Sequence, residues 1–561
     1  MTLANDDTTT DADAVVIGSG PAGLTAAAYL AAAGRRVVVL EQHDLAGGNC
    51  TVFRHRGYEF DVGLHYIGDC GPGGVISSVL GAVGLRDRVE YAAMDQDGFD
   101  TLVYPALELR VPAGWDGYRQ RLVEALPDDA DGIGRCIGIL EEVATQARMS
   151  LVPGTDTSTL AEWGGKSLDE LFVDCGLSPR ARSLLDHWGG LYGSAPDAVA
   201  VSMHAAIIHH YMDGAFYPVG GGQVLPARLV EVIETLGGEV RTLARVDRVL
   251  VDGGRVSGVR LVDGETITAP IVVSNADYKR TVHELVGDEH WRPETVARAD
   301  EMAMTLGLAV LYVVVDIEMP GPNTNYHVFP SWETEPLWDT LEAGEMPPGE
   351  TWTYISMASR KDPGNGELCP PGHTNFQIMT LAPRGYRWWG VDEGPASGAH
   401  YRREERYRQA KDELTGKLLD SAERVLGPFR DHIVHLEMAT PLTHERYTLS
   451  TDGTSYGLQH SPGQSGGDRP RHRTEIDGLY VTGANTVTGH GIAGTIVGGA
   501  QCASTIVDRP MFIEAMMGET FVDPALLPTD GPDWDPVDVS RGAALRATRA
   551  EGRAARAAAG D

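Results

Sequence analysis

The chain has 561 residues, enough for about three to five domain-sized units and too long for one small module. Lys and Arg number 46 against 79 Asp and Glu, and the field of a chain with formal charge −33 repels phosphate backbones and anionic headgroups, which argues against a nucleic-acid partner. A 42% hydrophobic, 22% charged composition describes a globular protein with a large core, not a disordered polyanion.

In chain order, the first thirteen residues carry Asp6, Asp7, Asp11 and Asp13 with no basic residue and no apolar run, the opposite of a secretory signal. From Ala14, Ala-Val-Val-Ile predicts a short buried strand that runs into Gly18-Ser19-Gly20-Pro21-Ala22-Gly23. The Ala-rich segment 24–33 predicts a helix ended by Gly34, and 36–41 a second buried strand ending at Glu41. The unit is βαβ, and Glu41 falls roughly 20 residues after the first glycine, where an acid takes a ribose hydroxyl. Gly18 permits the tight turn, Gly20 lets backbone approach a pyrophosphate, and Gly23 lets helix and strand pack closely; N–H groups at the helix start face the phosphates. This fingerprint specifies a dinucleotide without choosing between NAD and FAD.

Gly47-Gly48-Asn49 marks a second close backbone approach. Tyr217-Pro-Val-Gly220-Gly221-Gly222-Gln223 leads into a helix to about Leu236, followed by strands over 238–246, 256–262 (after an Asp252-Gly-Gly turn) and 267–273. Residues 306–315 form a Val-rich run half the ~20 residues of a membrane span and predict a strand of the core or the pocket floor. Residues 478–485 read as strand-to-turn, and 488–494 open a small-residue helix to about Ile506. The stretches between these pieces are too long for loops and predict an inserted domain. The expected fold is α/β: a discontinuous Rossmann-type dinucleotide domain (13–70, 218–285 and 470–510) with an inserted α+β substrate domain (71–217 and 286–469). The tail 511–561, with Arg546, Arg549, Arg553 and Arg556 along an Ala-rich stretch, predicts a peripheral arm or oligomer clasp. No second G-x-G-x-x-G follows a strand, so no separate NADPH domain is expected.

These pieces, VVIGSGPAGLTAAAYLAAAGRRVVVLEQHDLAGGN, GYEFDVGLHYIG, GAFYPVGGGQVLPARL, PLTHERYTLSTDGTSYGL and GLYVTGANTVTGHGIAGTIVGG, resemble the flavin-dependent phytoene desaturase and retinol-saturase superfamily, most closely its bacterial retinol 13,14-reductase-like branch. The resemblance implies FAD and an amine oxidase-like fold. It implies that Gly18, Ser19, Gly20, Ala22 and Gly23 hold the pyrophosphate, Glu41 the adenosine ribose, Gly47 and Gly48 the approach near the flavin, and Val246 the adenine through its backbone. It further places Gly483 and Asn485 by the flavin-side phosphate and the Ile492 N–H at the isoalloxazine O2. Asn485 stands where the superfamily commonly has Asp, and Asn49-Cys50 also departs from its usual pattern.

The candidate catalytic groups are His65 and Tyr66, which carry transferable protons beside the small Gly63, and His490, whose imidazolium would stabilise negative charge on a reduced ring. The competing readings are a core histidine, a wall tyrosine and a loop histidine. Asp61 reads as a backbone cap. His209 and His210 diverge by about 100° on a helix and cannot share a metal, so the stretch 199–216 reads as pocket wall. Six cysteines without a Cys-x-x-Cys pair or short-spaced His partners predict no metal site and no disulfide framework, and fit the cytoplasm. The expected function is an FAD-dependent oxidoreductase acting on carbon–carbon bonds of an apolar, isoprenoid or polyene-like substrate by hydride transfer at flavin N5. The alternatives are a flavin-dependent cis–trans isomerase, a flavin amine oxidase, and a non-catalytic prenyl-binding escort like the Rab GDP-dissociation inhibitors. Expected partners are the apolar substrate and an unidentified electron donor or acceptor, with at most peripheral membrane contact and possible homo-oligomers.

Overall fold

The computed structural model describes residues 11–150, 152 and 154–559; Asp6 and Asp7 lie outside them. The β-branched runs Ala14–Ile17 and Val37–Leu40 are buried at every position and pair in parallel, Ala14 opposite Val37. Between them the helix Pro21–Ala32 starts with a proline, whose missing N–H is an orphan at a first turn anyway. It ends where Gly34 takes φ +80° and the Arg35 N–H reaches back to the Leu30 carbonyl at 3.0 Å. The helix begins three residues before the predicted segment, so Gly23 lies in its first turn.

Strands from far along the chain complete a five-stranded parallel sheet in the order Leu479–Val481, Val272–Ser274, Ala14–Ile17, Val37–Leu40, Glu239–Arg241. The segment 238–273 departs from the sequence reading. Leu243 adopts φ +58°, which breaks 238–246 in two: Glu239–Arg241 joins the parallel sheet, and Val246–Asp252 opens a separate antiparallel sheet with Arg255–Leu261 and Thr266–Thr268. Pro270, which has no N–H to give a ladder, interrupts 267–273 before Val272–Ser274 returns to the parallel sheet. The helix Gly491–Val507 packs on Pro21–Ala32 so closely that a Cβ at Gly499 would lie 2.4 Å from the Ala22 carbonyl oxygen.

The second unit is a seven-stranded sheet ordered Ile433–Ala439, Leu308–Val315, Thr374–Leu381, Thr353–Ser356, Asn325–Val328, Asp100–Tyr104, Leu107–Val111, antiparallel except where Asn325–Val328 meets Asp100–Tyr104. Helices cover it by their apolar stripes; Ala130–Met149, for example, buries Ile133, Ile137, Leu140 and Ala144 at helical spacing. The hairpin Val52–His55/Tyr58–Asp61 ties the units together, with Asn375 Nδ2 donating to the Glu59 carbonyl (2.8 Å) and Gln377 Nε2 to that of Asp61 (3.1 Å).

The tail packs back on its own chain. Asp530 takes the Arg228 guanidinium on both carboxylate oxygens (2.7 and 2.6 Å), Trp534 donates to Glu231 (2.7 Å), and Asp535 pairs with Arg54. Arg541 pairs with Asp44, and the Ala/Arg stretch forms the helix Gly542–Ala559, held by Arg546 on Glu234. Arg553 and Arg556 lie outside the residues whose side chains are described. Among the described residues no helix is long and apolar enough to cross a membrane, and the six cysteines are free thiols.

Candidate active site

A cavity of about 1210 Å³ lies between the two units. Its volume exceeds the roughly 300–1,000 Å³ of a single-ligand pocket, leaving space for a dinucleotide and a second molecule. Its lining includes the glycine turn with Glu41, Val246 and Asn275 and, from the seven-stranded sheet, the apolar Leu308, Val310, Tyr312, Met438 and Ala439 beside the charged Glu437 and Lys411. The strand Leu308–Val315 is thus both core and pocket wall.

Gly18, Ser19, Gly20, Ala22, Glu41, Gly48, Val246, Asn485 and Ile492 all line the cavity. Gly20 gives the helix Pro21–Ala32 no side-chain cap, which leaves its first turn able to receive an anion. The Glu41 carboxylate fixes the turn to the end of its strand, accepting from Ser19 N–H (3.0 Å), Ser19 Oγ (2.6 Å) and His43 N–H (2.9 Å). The two glycine loops touch: a Cβ at Gly48 would sit 3.0 Å from Gly20 Cα.

Gly23, Gly47 and Gly483 do not line the cavity; they shape it from behind. A Cβ at Gly23 would stand 2.2 Å from the Gly18 carbonyl oxygen, one at Gly47 2.8 Å from Pro226, and one at Gly483 2.4 Å from Asn275 Oδ1. Asn485 Oδ1 accepts the Leu458 N–H at 2.8 Å.

His65 and His490 line the cavity, and Tyr66 does not. His65 faces the cavity, whereas Tyr66 turns inward, donates to Asp100 Oδ2 (3.0 Å) and stacks on Tyr211 at 4.3 Å. This withdraws the Tyr66 hydroxyl from the cavity. His65 Nδ1 and both His490 ring nitrogens are buried without a hydrogen-bond partner, as groups awaiting a polar ligand would be. Burial, with the Lys361 charge, pushes His65 down to about 3; burial, with the Arg469 charge, does the same to His490. Both rings are therefore neutral at pH 7, and the imidazolium expected of His490 is disfavoured here. The helix Val201–Met212 is likewise not pocket wall: Tyr211 stacks under Tyr66, and His210 binds Asp69 (2.9 Å) and accepts the Gly68 N–H (2.8 Å). Asp61 caps the Gly222 N–H at 2.8 Å.

Three residues escaped the sequence reading. Asn275, at the end of Val272–Ser274, stands between the glycine turn and Gly483. Lys361 is 1% exposed and donates to the His65 carbonyl (2.5 Å) and Ser356 Oγ (2.7 Å); burial pushes it down to about 7 while Asp100 and Asp61 hold it up. Arg469 is 2% exposed and donates to four carbonyls, of Thr486 (2.8 Å), Leu458 (3.2 Å), Gln459 (2.6 Å) and Ala484 (2.7 Å). Burial lowers it to about 9, so it remains charged at neutral pH beneath the Gly483–Asn485 turn. The fixed positive charge of this region belongs to Arg469.

The neutral histidines make the fold acid-sensitive. His65, His204 and His490 (about 3) and His444 (about 4) stay unprotonated when folded, while the unfolded chain takes up protons near pH 6.5. Above 6.5 they contribute nothing; below it each destabilises the fold by about 1.4 kcal/mol per pH unit until its folded value is reached. Glu59 (about 7) and Asp61 (about 6), raised by burial, act in the opposite sense but are fewer. Thermal unfolding at pH 7.5 and 5.0 should show a clearly lower midpoint at pH 5.0.

The model of the flavin containing amine oxidoreductases matches residues 21–507. Over 541 residues the chain is 29% identical to the all-trans-retinol 13,14-reductase of Homo sapiens, covering 89% of this chain and 86% of that protein. Over 516 residues it is 26% identical to the chloroplastic prolycopene isomerase of Arabidopsis thaliana, covering 88% and 82%. An oxidoreductase from Methanosarcina mazei has the same fold at a TM-score of 0.60 and 18% identity, covering 88% of this chain and 100% of that one. With a family match spanning most of its length, the chain belongs to the flavin containing amine oxidoreductases and is a flavin-dependent oxidoreductase.

Proposed function

We propose that the chain binds FAD and saturates a carbon–carbon double bond of an apolar, isoprenoid-type polyene. The observation that carries this reading is the cavity itself, which runs from the dinucleotide cradle to an apolar wall with neutral imidazoles on its lining. The buried cations Lys361 and Arg469 stand close to those imidazoles and oppose a cationic amine, whereas a neutral polyene is indifferent to them. The likeness to a retinol reductase supports the same choice.

In this reading Glu41 takes the adenosine ribose, Val246 the adenine, and Gly18, Ser19, Gly20 and Ala22 the pyrophosphate, with Gly23, Gly47 and Gly483 holding the loops in shape and Gly48 close to the flavin. Asn485 and the Ile492 N–H face the flavin end. Bound flavin supplies the two-electron carrier that exchanges hydride with carbon at N5. Leu308, Val310, Met438 and Ala439 exclude water and align the polyene. His65, neutral and with no protein partner at Nδ1, would act as a relay, taking a proton from solvent at one ring nitrogen as it gives one to the neighbouring carbon from the other; the Tyr66 hydroxyl stays on Asp100, away from the reacting carbon. Lys361 fixes the His65 backbone, and Arg469 supplies the positive potential first assigned to His490, which serves as a neutral hydrogen-bonding group. A cytoplasmic setting with at most peripheral membrane contact is supported by six free thiols and the charge of −33. The electron donor is a separate molecule.

The test is anaerobic mixing of the reduced, flavin-loaded protein with all-trans-retinol, and of the oxidised protein with a primary amine. The expected result is reoxidation of the flavin by the polyene with a product two hydrogens heavier, and no response to the amine. Flavin bleaching by the amine, with no response to polyenes, would overturn the proposal. The likeness to prolycopene isomerase favours a second reading, isomerisation without net redox, which would change the polyene spectrum but neither its mass nor the flavin state.

A further inference from the structure

Outside the central site, the rim of the cavity carries a group of ligating side chains that the activity does not use. His435 and Glu437 alternate onto one face of Ile433–Ala439, the edge strand of the seven-stranded sheet, because residues two apart in a strand share a face. The last residue of the strand Val52–His55 meets them from the hairpin: His55 Nδ1 lies 3.1 Å from Glu437 Oε2, and the His55 and His435 rings are 5.3 Å apart and nearly perpendicular. One ligand atom from each of the three lies within 4.8 Å of the others, beside an open hollow of about 410 Å³.

We propose that His55, His435 and Glu437 form a binding site for a zinc-class divalent transition metal. Two imidazoles and a carboxylate are a ligand set that borderline divalent metals favour, with water in the fourth position. Tetrahedral ligands at about 2.0–2.1 Å from an ion stand about 3.4 Å apart, close to the His55–Glu437 separation already present. The remaining closure falls on His55 and Glu437, whose side chains are 45% and 49% exposed and free to rotate. His435 is the anchor: it is 5% exposed, its ring stacks on Phe60 at 5.1 Å, and its Nε2 has no partner. Arg56 and Lys411 are the cations that face these groups and oppose the ion, while the overall charge of −33 draws cations toward the surface.

His55 lies 380 residues before His435, so no short Cys/His spacing announces the set, and the sequence reading expected no metal. The ion would tie the hairpin of the dinucleotide unit to the edge strand of the other unit, and His55 and Glu437 also line the main cavity, placing it at the rim of that cavity.

The test is equilibrium dialysis of the full-length, flavin-loaded protein against zinc chloride, with magnesium chloride as the hard-cation control. The expected result is one zinc per chain, no stoichiometric magnesium, and a thermal midpoint raised by zinc. His55→Ala and Glu437→Ala change half-exposed side chains and leave the buried His435 packing intact. Each should weaken zinc binding by no less than the roughly 10–100-fold lost when even an outer partner of a metal ligand is removed, and should abolish the thermal shift. Absence of stoichiometric zinc in the parent protein, or unchanged zinc affinity in both variants, would overturn the proposal.

Discussion

Replacing Gly23 with valine is expected to give a colourless protein. A Cβ at this position falls 2.2 Å from the Gly18 carbonyl oxygen, 3.0 Å from Asn275 Nδ2 and 3.2 Å from Asn275 Cβ. The first contact is with backbone and cannot be relieved by a side-chain rotation. The helix Pro21–Ala32 must move off the strand end, which opens the cradle and costs about 1–3 kcal/mol in packing. Because each ~1.4 kcal/mol is tenfold in affinity, flavin binding should weaken by roughly 5- to 150-fold. The ratio of visible flavin absorbance to protein absorbance in the purified variant measures it, with far-ultraviolet circular dichroism to establish that the chain has folded. Gly34→Ala is the control: it has open space around its Cβ and strains only its own φ of +80°, so it should stay yellow. A Gly23→Val protein with a full complement of flavin would contradict the cradle described above.

The second large effect is expected at Lys361. Lys361→Met removes the donor to the His65 carbonyl and to Ser356 Oγ, and leaves Asp61 and Asp100 without their buried cation. Removing one member of a buried charged group costs about 3–5 kcal/mol. The pH dependence carries a distinct sign. With a folded value near 7 against the ordinary 10.5, Lys361 binds fewer protons in the folded than in the unfolded chain between those limits. Its desolvation penalty is fully present below pH 7 and is relieved as pH rises toward 10.5, by about 1.4 kcal/mol per pH unit. Urea unfolding at pH 7 and pH 9 should therefore show the advantage of the parent protein over the variant widening at pH 9. A difference that does not change with pH would remove Lys361 titration from the account. Loss of the His65 anchor should also slow flavin turnover with polyene.

The dinucleotide end of the site was legible because its signal is local. A Val-rich strand, three glycines, an Ala-rich helix and Glu41 lie within about thirty contiguous residues and each constrains the next. What sequence could not convey is register between distant segments. Asn275 reaches the glycine turn because Val15 pairs with Val272, and nothing in its own neighbourhood marks it. Lys361 sits on the short helix Ala358–Lys361 and meets His65 only through tertiary packing. Tyr66 drew attention as a neighbour of His65, yet Asp100 and Tyr211, both distant in sequence, hold its ring away from the cavity. His490 lies immediately before its helix, as expected, but its neutrality follows from burial and then from Arg469, a loop residue with no local motif.

The strand order of the parallel sheet bears on how the coenzyme site is completed. Ala14–Ile17 has as its neighbour on one side Val272–Ser274, whose own outer edge is covered by Leu479–Val481. The helix that seats against Ala22 comes later still. Closing the cradle thus depends on pairings between segments far apart in the chain, and such long-range pairing folds slowly. Capture of the coenzyme waits on the pairing of Val272–Ser274 with Leu479–Val481, so a fault in that distant strand would act on the coenzyme site as surely as one in the glycine turn.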